Sequence, residues 1–89
     1  MSLVQLESFV AVAEEAHVGR AAQRLHVSQP PLTRRIRGLE DELGTALFER
    51  TPKGMTLLPS GRRLLPRARA ILAAIQDARD AVREPSPDS

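Results

Sequence analysis

Six apolar side chains in the last third of the sequence recur at steps of four, three, four, three and four residues. In an α-helix this spacing aligns them in one narrow stripe, which is typical of a helix that pairs with another helix. Two interpretations are open: a homodimer whose two copies pair through this stripe, or a long helix that packs only on its own domain. The predicted dimerisation residues are Leu64, Ala68, Ile71, Leu72, Ile75, Ala78 and Val82.

The size of the chain favours the homodimer. With 89 residues and no cysteine, it has neither a disulfide nor a thiolate metal site to stabilise it. A domain of this size buries only a little over half of the surface of its unfolded chain, so an isolated monomer is expected to be marginally stable. We find no membrane-spanning run and no signal-peptide pattern, and we therefore expect a cytoplasmic protein.

Apolar periodicity and turn residues predict a mainly α-helical chain with one hairpin. Gly44 is expected to end the third helix, Pro59 to begin the fourth, and Pro66 to kink the fourth. Val18 is expected to precede the second helix as a hydrophobic staple. The predicted helices cover residues 3–15, 19–25, 29–43 and 59–84, the strands cover 47–50 and 55–58, and the tail 85–89 has a linker composition.

The third predicted helix has two different faces. At about 100° per residue, Pro30, Arg34 and Arg37 share one side, with Thr33 on its flank. Two short helices, a tight break, this third helix and a basic hairpin together describe a winged helix-turn-helix, in which the third helix enters the major groove of DNA. The opposite side, predicted to face the core, carries Leu32, Ile36, Leu39 and Leu43.

The net charge of +2 hides an uneven distribution. Residues 20–69 carry eleven basic and four acidic side chains, a net of +7, whereas residues 1–19 carry −3 and residues 70–89 carry −2. A basic segment of this kind is typical of a surface that faces a polyanion, with nucleic acid the leading candidate. The charge pattern alone is equally compatible with a solvated surface that binds no partner.

The start of the third helix is chemically unusual. Ser28 stands at the N-cap position, but the second and third helical residues are Pro30 and Pro31, which have no N–H to donate to a capping oxygen. We therefore predict that the Ser28 hydroxyl forms no cap and is free for a phosphate, which the helix dipole also attracts. The alternative is that Ser-Gln-Pro-Pro is only a rigid turn.

Several motifs together resemble the LysR-type transcriptional regulators. The stretch AAQRLHVSQPPLTRRI over residues 21–36 carries the resemblance most specifically. Leu39-Glu40, Leu43-Gly44, Leu47-Phe48-Glu49-Arg50 and Gly61 extend it, and it covers residues 3–84 without a gap. The resemblance implies a winged helix-turn-helix DNA-binding domain over residues 1–58 and a linker helix over residues 59–84 that pairs antiparallel in a dimer. It also implies binding to inverted repeats in promoter DNA.

The resemblance assigns DNA-binding positions residue by residue. Five residues between positions 29 and 34 fall on the family's base-reading and groove-lining places, and two residues of the hairpin match its wing. Pairing of glutamine with adenine and of arginine with guanine agrees with this assignment, and the remaining residues are assigned to phosphates. The predicted DNA-binding residues are Arg20, Arg24, Ser28, Gln29, Pro30, Pro31, Thr33, Arg34, Arg37, Arg50 and Lys53.

Two residues depart from the family pattern. Leu58 stands where threonine is frequent, which removes a side-chain cap, and Lys53 stands where arginine is common, so the wing is expected to attract by charge more than to read the minor groove. The family's C-terminal effector-binding domain would follow residues 85–89. We therefore expect a DNA-binding fragment of a longer, dimeric or tetrameric regulator, whose small-molecule inducer acts only through that further domain.

Other function classes have little support in the sequence. His17 and His26 lie at predicted helix ends, so we expect no metal site and no cofactor. Glu40, Asp41 and Glu42 are consecutive and spread around the helix, which disfavours an acid–base pair and an enzyme. They are expected either to solvate the helix or to limit nonspecific DNA binding. The two phenylalanines are expected in the core, which disfavours a base-stacking platform. The remaining alternative is a helical protein–protein dimerisation module without specific DNA binding.

Overall fold

The structure, a computed structural model, describes residues 1–83. The predicted bounds of the first and third helices are confirmed, and the second helix begins one residue earlier than predicted. The predicted end of the fourth helix at Glu84 and the tail 85–89 lie outside the described residues. The elements in chain order are α1 (Leu3–Glu15), α2 (Val18–Leu25), α3 (Gln29–Leu43), β1 (Phe48–Thr51), β2 (Gly54–Leu57) and α4 (Pro59–Arg83).

The helix α1 lies at the centre of the domain and contacts α2, α3, α4 and β2. Because other elements cover it from several sides, its buried face is wide. Val12 and Ser8 are fully buried, whereas Leu3 and Ala13 are only half-buried. The Ser8 hydroxyl donates a hydrogen bond to the Val4 carbonyl oxygen (2.8 Å), so its burial leaves no unpaired polar group.

Capping side chains set the starts of the first two helices. Ser2 and Gln5 form a capping box at α1, in which each side-chain oxygen accepts from the other residue's N–H (2.9 and 3.1 Å). His17 caps α2, because its Nδ1 accepts from the Arg20 N–H at 3.3 Å. Val18 is therefore the first residue of α2, and the prediction that it precedes the helix as a staple is wrong.

The helix α3 turns its apolar face to α1, as predicted for three of four residues. Leu32, Ile36 and Leu39 are at most 2% exposed. Leu43 is 38% exposed, and its predicted place in the core is wrong. The last turn of α3 lies beside the exposed start of the chain, where the Met1 amino group pairs with Glu42 at 2.6 Å, and the core does not reach that far.

The two strands form an antiparallel hairpin whose register pairs Phe48 with Leu57 and Thr51 with Gly54. Both strands lie one residue away from the predicted positions. Leu47 lies opposite Leu58 in the same register, and its carbonyl oxygen accepts from the Leu58 N–H at 2.9 Å. Its own N–H donates to the Glu40 carboxylate at 2.7 Å and not across the hairpin, so the regular strand begins at Phe48.

The first half of α4 packs on the domain, and Leu64, Leu65 and Leu72 lie half-buried against the core. Ala68 is 0% exposed within its own chain, so the prediction that it contacts a partner copy is wrong. The reason is that the seven-residue stripe faces the chain's own core at this level of the helix. Pro66 lies inside α4, and the helix continues through it.

The second half of α4 carries an apolar stripe that the rest of the domain does not cover. Ile71 is 42% and Val82 85% exposed, Ala78 is exposed, and Ile75 is half-buried. These four residues keep the predicted steps of four, three and four. None of the helices formed by residues 1–83 is long and apolar enough to cross a membrane.

Candidate nucleic-acid interface

The outer face of α3 presents the polar residues that the helical wheel places there. Arg34, Arg37 and Pro30 are exposed, and Thr33 is half-buried. The rigid apolar face beneath them consists of side chains that are at most 2% exposed, so α3 holds the outer residues on a fixed support. An exposed helix face with two guanidinium groups suits the acceptor-rich edges of bases in the major groove.

The start of α3 has the unusual chemistry expected from its sequence. Ser28 occupies the N-cap position with extended backbone angles, and its side chain makes no capping hydrogen bond. This confirms the prediction that the two prolines leave the hydroxyl without a cap role. Ser28 is exposed, so its hydroxyl is accessible at the positive end of the α3 dipole.

Two open clefts join α2, α3 and the hairpin into one surface. The first, of about 340 Å³, places Gln29 of α3 opposite Arg50 and Lys53 of the hairpin. The second, of about 480 Å³, lies between α2 and the start of α3 and is lined by Arg20 and Ser28 among others. Both clefts share His17, Gly19 and Gln29. The structure thus brings the predicted DNA-binding residues Arg20, Ser28, Gln29, Arg50 and Lys53 together on one surface.

The hairpin is fixed to the helices by backbone contacts at both of its ends. Near its tip, the Met55 N–H donates to the Ala16 carbonyl oxygen of the α1–α2 turn at 3.0 Å. A side chain at Gly54 would collide with that same oxygen, so the close approach requires glycine. At the base, Glu40 Oε2 accepts from the N–H groups of Leu47 (2.7 Å) and Phe48 (3.4 Å). The cations of the hairpin are therefore held in a defined position relative to α3.

The basic residues of this surface differ in whether a carboxylate compensates them. Among residues 1–83, five predicted DNA-binding cations make no ion pair within 4 Å. They are Arg20, Arg34, Arg37, Arg50 and Lys53.

Arg24 differs because its guanidinium pairs with Glu14 at 2.8 Å and with Glu15 at 3.3 Å. The hydrogen bond with Glu14 raises the pKa of Arg24, and the same bond, together with one from Arg69, lowers the pKa of the Glu14 carboxyl. Arg24 also lines neither cleft. The contact of Arg24 with a phosphate stays a prediction. In such a contact the phosphate would share the guanidinium group with the two carboxylates.

Three residues at or behind this surface were not predicted to shape it. His17 and Gly19 line both clefts, and a side chain on Gly19 would approach the His17 ring to 2.9 Å and the Gln29 amide to 3.3 Å. Glu40, expected to solvate α3, instead ties α3 to the hairpin. Glu40 precedes its amide partners by seven and eight residues, and no local pattern in the sequence marks such a contact.

The side chains form no metal-ligating cluster in the part of the chain that the structure describes. No group of three or more metal-ligating side chains occurs within residues 1–83. Phe9 and Phe48, as expected, are both in the core, with ring centroids 5.4 Å apart. The exposed cations and the helix α3 that presents two of them are therefore the chemistry that this surface offers.

Three helices, a two-stranded wing and an outward-facing third helix define a winged helix-turn-helix DNA-binding domain. Residues 3–62 match the family described as bacterial regulatory helix-turn-helix protein, lysR family, and the chain belongs to this family. Both the fold and the family expected from the sequence are thereby confirmed.

Similar proteins are transcriptional regulators. ClcR from Pseudomonas putida is 58% identical over 57 residues, covering 64% of this chain and 19% of ClcR. TfdT from Cupriavidus pinatubonensis (strain JMP 134 / LMG 1197) is 53% identical over 76 residues, covering 85% of this chain and 33% of TfdT. Both are named HTH-type transcriptional regulators, and the chain spans a third or less of their length. The crystal structure of the CbnR_DBD-DNA complex has a TM-score of 0.88 at 44% identity and covers 93% of this chain and 95% of that one.

Proposed function

We propose that this chain is the sequence-specific, double-stranded DNA-binding domain of a LysR-type transcriptional regulator and binds promoter inverted repeats as a homodimer. The observation that carries the proposal is the exposed, uncompensated basic face formed by α3, the two clefts and the wing. The similarity to a domain that was crystallised with DNA supports the same conclusion. Its place of action is the cytoplasm, where bacterial promoters are accessible.

The side chains divide into groups that read bases and groups that bind phosphates. Arg34 on the outer face of α3 suits guanine, and Gln29 at its start suits adenine, because each side chain pairs bidentately with that base. Pro30, Pro31 and Thr33 lie between them and offer apolar contact to thymine methyl groups. The phosphate contacts of the proposal come from Arg20, Ser28, Arg37, Arg50 and Lys53, with a smaller part for Arg24.

The exposed stripe on the second half of α4 is the proposed dimer seam. Ile71, Ile75, Ala78 and Val82 form it, whereas Leu64 and Leu72, which were also predicted to contact the partner, lie half-buried against the core. Pairing of two copies would cover apolar side chains that are exposed in the single chain. The inducer and any tetramer belong to the longer protein, whose effector-binding domain is proposed from the family alone.

The experiment that tests DNA reading begins with selection of bound duplexes from a random library. Affinities for the selected site and for a scrambled site are then measured by fluorescence anisotropy across a salt series. Four uncompensated cations assigned to phosphates in each protomer (Arg20, Arg37, Arg50, Lys53) give about eight contacts per dimer, and a slope of log K against log salt near −7 is expected.

Arg34→Ala separates base reading from charge. Loss of one bidentate base contact is expected to weaken the selected site about 10- to 100-fold while the scrambled site changes little. The control is Arg67→Ala, which removes the same charge from an exposed residue of α4 whose guanidinium donates to the Arg63 carbonyl oxygen of the same helix (2.6 Å). Equal losses for both sites with Arg34→Ala would contradict the base-reading role. A stable dimer without any sequence preference would support the dimerisation module instead.

The dimer seam has its own test. Replacing both Ile71 and Ile75 by glutamate is expected to give a monomer in sedimentation equilibrium, because two buried charges would lie in the seam without partners. Replacing the exposed Arg67 by glutamate also makes the net charge more negative, but at a position outside the stripe. This variant should remain a dimer. A dimer that persists in the double glutamate variant would contradict the assigned seam.

A further inference from the structure

One carboxylate connects the three helices α1, α2 and α4. Glu14, near the end of α1, accepts from Arg24 of α2 through Oε1, with a nitrogen–oxygen distance of 2.8 Å. Its other oxygen, Oε2, accepts from Nε (3.0 Å) and Nη2 (2.8 Å) of Arg69 in α4. Each oxygen of Glu14 is thus used by a different helix. The same side chain therefore fixes the helix-turn-helix and the linker helix at one point.

This contact lies where α4 leaves the domain. Ala68, beside Arg69, is fully buried, and Leu72 one turn further is half-buried against the core. From Ile71 onward the helix carries the exposed stripe of the proposed dimer seam. The Glu14–Arg69 contact therefore lies just before the part of α4 that the rest of the domain does not cover.

We propose that the Glu14–Arg69 contact sets the angle between α4 and the DNA-reading helices and thereby determines which distance between two half-sites the dimer accepts. The proposal rests on the proposed function, since the half-sites matter only for a dimer that reads DNA. In this proposal Glu14 and Arg69 are positioning residues that touch no DNA, and they select the spacing between half-sites without selecting their bases.

The dimensions of the helix make the effect large enough to matter. The eleven residue steps from Leu72 to Arg83 extend about 16 Å at 1.5 Å per step. A rotation of α4 by about 10° at its exit displaces the far end of that length by about 3 Å. One base pair along the DNA axis is about 3.4 Å. A small change in the angle of α4 is therefore equivalent to about one base pair of half-site spacing.

At the exit of α4 the ion pair supplies a directed restraint that the apolar contacts there do not. Ala68 contributes only a methyl group, and Leu72 is half-buried, and apolar contacts have no direction. The guanidinium of Arg69 donates two hydrogen bonds from its rigid fork, which gives the contact a direction. Arg24 holds the other side of the carboxylate, so Glu14 is itself fixed. Its lowered pKa, caused first by Arg24 and then by Arg69, agrees with a carboxylate held by both.

The test measures binding of the 89-residue chain to duplexes that differ only in spacer length. The half-sites come from the selection described above, and spacers one and two base pairs shorter or longer are compared with the selected spacer. The wild-type protein is expected to prefer one spacer by tenfold or more. Arg69→Ala is expected to reduce that preference at least threefold, while affinity for an isolated half-site stays within twofold. Arg67→Ala is the matched control and should keep the wild-type spacer profile.

Each outcome decides the matter. If wild-type protein shows no sequence-specific binding, the proposed function fails. If wild-type protein reads half-sites but accepts all spacers equally, or if Arg69→Ala keeps the wild-type profile, the inference fails while the function stands. A uniform loss at every spacer would assign Arg69 to charge attraction and also overturn the inference. Glu14→Gln, which keeps the shape of the side chain but removes its charge, must reproduce the broadened profile, and circular dichroism verifies that both variants fold.

Discussion

Glu40 provides the most informative perturbation, because it connects the reading helix to the wing. Its Oε2 accepts from the Leu47 N–H at 2.7 Å and from the Phe48 N–H at 3.4 Å. Leu47 is 1% exposed, so removing the carboxylate leaves a buried N–H without its acceptor. We therefore expect Glu40→Ala to lower stability and to loosen the wing relative to α3.

The size of the effect follows from the two hydrogen bonds. A hydrogen bond to a charged group contributes about 1.5–3 kcal/mol, and an unpaired buried donor costs about 1–3 kcal/mol. Because Glu40 is half-buried and water can replace part of the loss, we expect about 2 kcal/mol for Glu40→Ala. In a domain of this size, that corresponds to a fall in Tm of about 8–16 °C. Glu40→Gln keeps an acceptor oxygen and is expected to lose about 1 kcal/mol.

Thermal melting at fixed protein concentration measures these shifts, since the stability of a dimer depends on concentration. Asp41→Ala is the control, because it removes the same charge from the next residue of α3, which is exposed. If Asp41→Ala lowers the Tm as much as Glu40→Ala does, the two amide contacts are not the cause and the reasoning is refuted.

The same variant tests the link between Glu40 and DNA binding. Loosening the wing is expected to weaken binding to the selected site about three- to tenfold, within the range of coupling between residues of one network. In a background that already carries Lys53→Ala and Arg50→Ala, the additional loss from Glu40→Ala should be under twofold, because the wing no longer supplies charge. Equal losses in both backgrounds would mean that Glu40 acts elsewhere.

Two further predictions concern packing and pH. Gly61→Ala is expected to destabilise and Gly38→Ala to stabilise the fold in thermal melting. A side chain at Gly61 would meet a backbone carbonyl oxygen before β1 and a leucine of β2 at 2.6 Å, whereas one at Gly38 would meet only the amide nitrogen of the capping-box residue Gln5 at 3.2 Å, a contact that a shift of a few tenths of an ångström at the end of that side chain relieves. At Gly61 the steric misfit costs about 1–3 kcal/mol, which outweighs the gain of about 1 kcal/mol that alanine has over glycine inside a helix. Tm shifts of the same sign in the two variants would contradict this prediction. For Glu14, hydrogen bonds from Arg24 and Arg69 lower the folded pKa below 4.5, so its stabilisation is complete above that value and is lost as the pH falls through the lower folded pKa. The stability difference between wild type and Glu14→Gln in urea unfolding should shrink below pH 4.5, and a constant difference would contradict it.

Local chemistry made much of the fold predictable from the sequence. The period of the apolar residues and the glycine at position 44 identified α3 to the residue, because a helix start, an amphipathic face and a left-handed end are all local features. Gly44 has the expected φ of 68°. The boundary errors at α2 and in the hairpin arose where a side chain or a backbone group bonded to a distant partner. His17 is the N-cap of α2, so that helix begins at Val18, and the Leu47 N–H donates to Glu40 and not across the hairpin.

Burial along α4 was the part that periodicity could not resolve. The seven-residue repeat is continuous in the sequence, but the structure divides it at about Ala68, where the domain ends. The first half faces the chain's own core, and the second half is exposed. A seven-residue apolar repeat shows only that one side of a helix is covered. It does not distinguish cover by the chain's own core from cover by a partner copy. The two interpretations drawn from the sequence are therefore each supported for a different half of the same helix.

The distribution of charge changes its meaning once the contacts are known. Counted along the chain, the acidic first segment and the basic middle look like separate regions. In the fold, Glu14 and Glu15 pair with Arg24, and Glu14 also pairs with Arg69, so part of the basic excess is compensated where α1, α2 and α4 meet. The cations that line the two clefts are not among those compensated within the described residues. The acidic end of α1 thus compensates Arg24 and Arg69, whereas the cations that line the clefts keep their charge available to a polyanion.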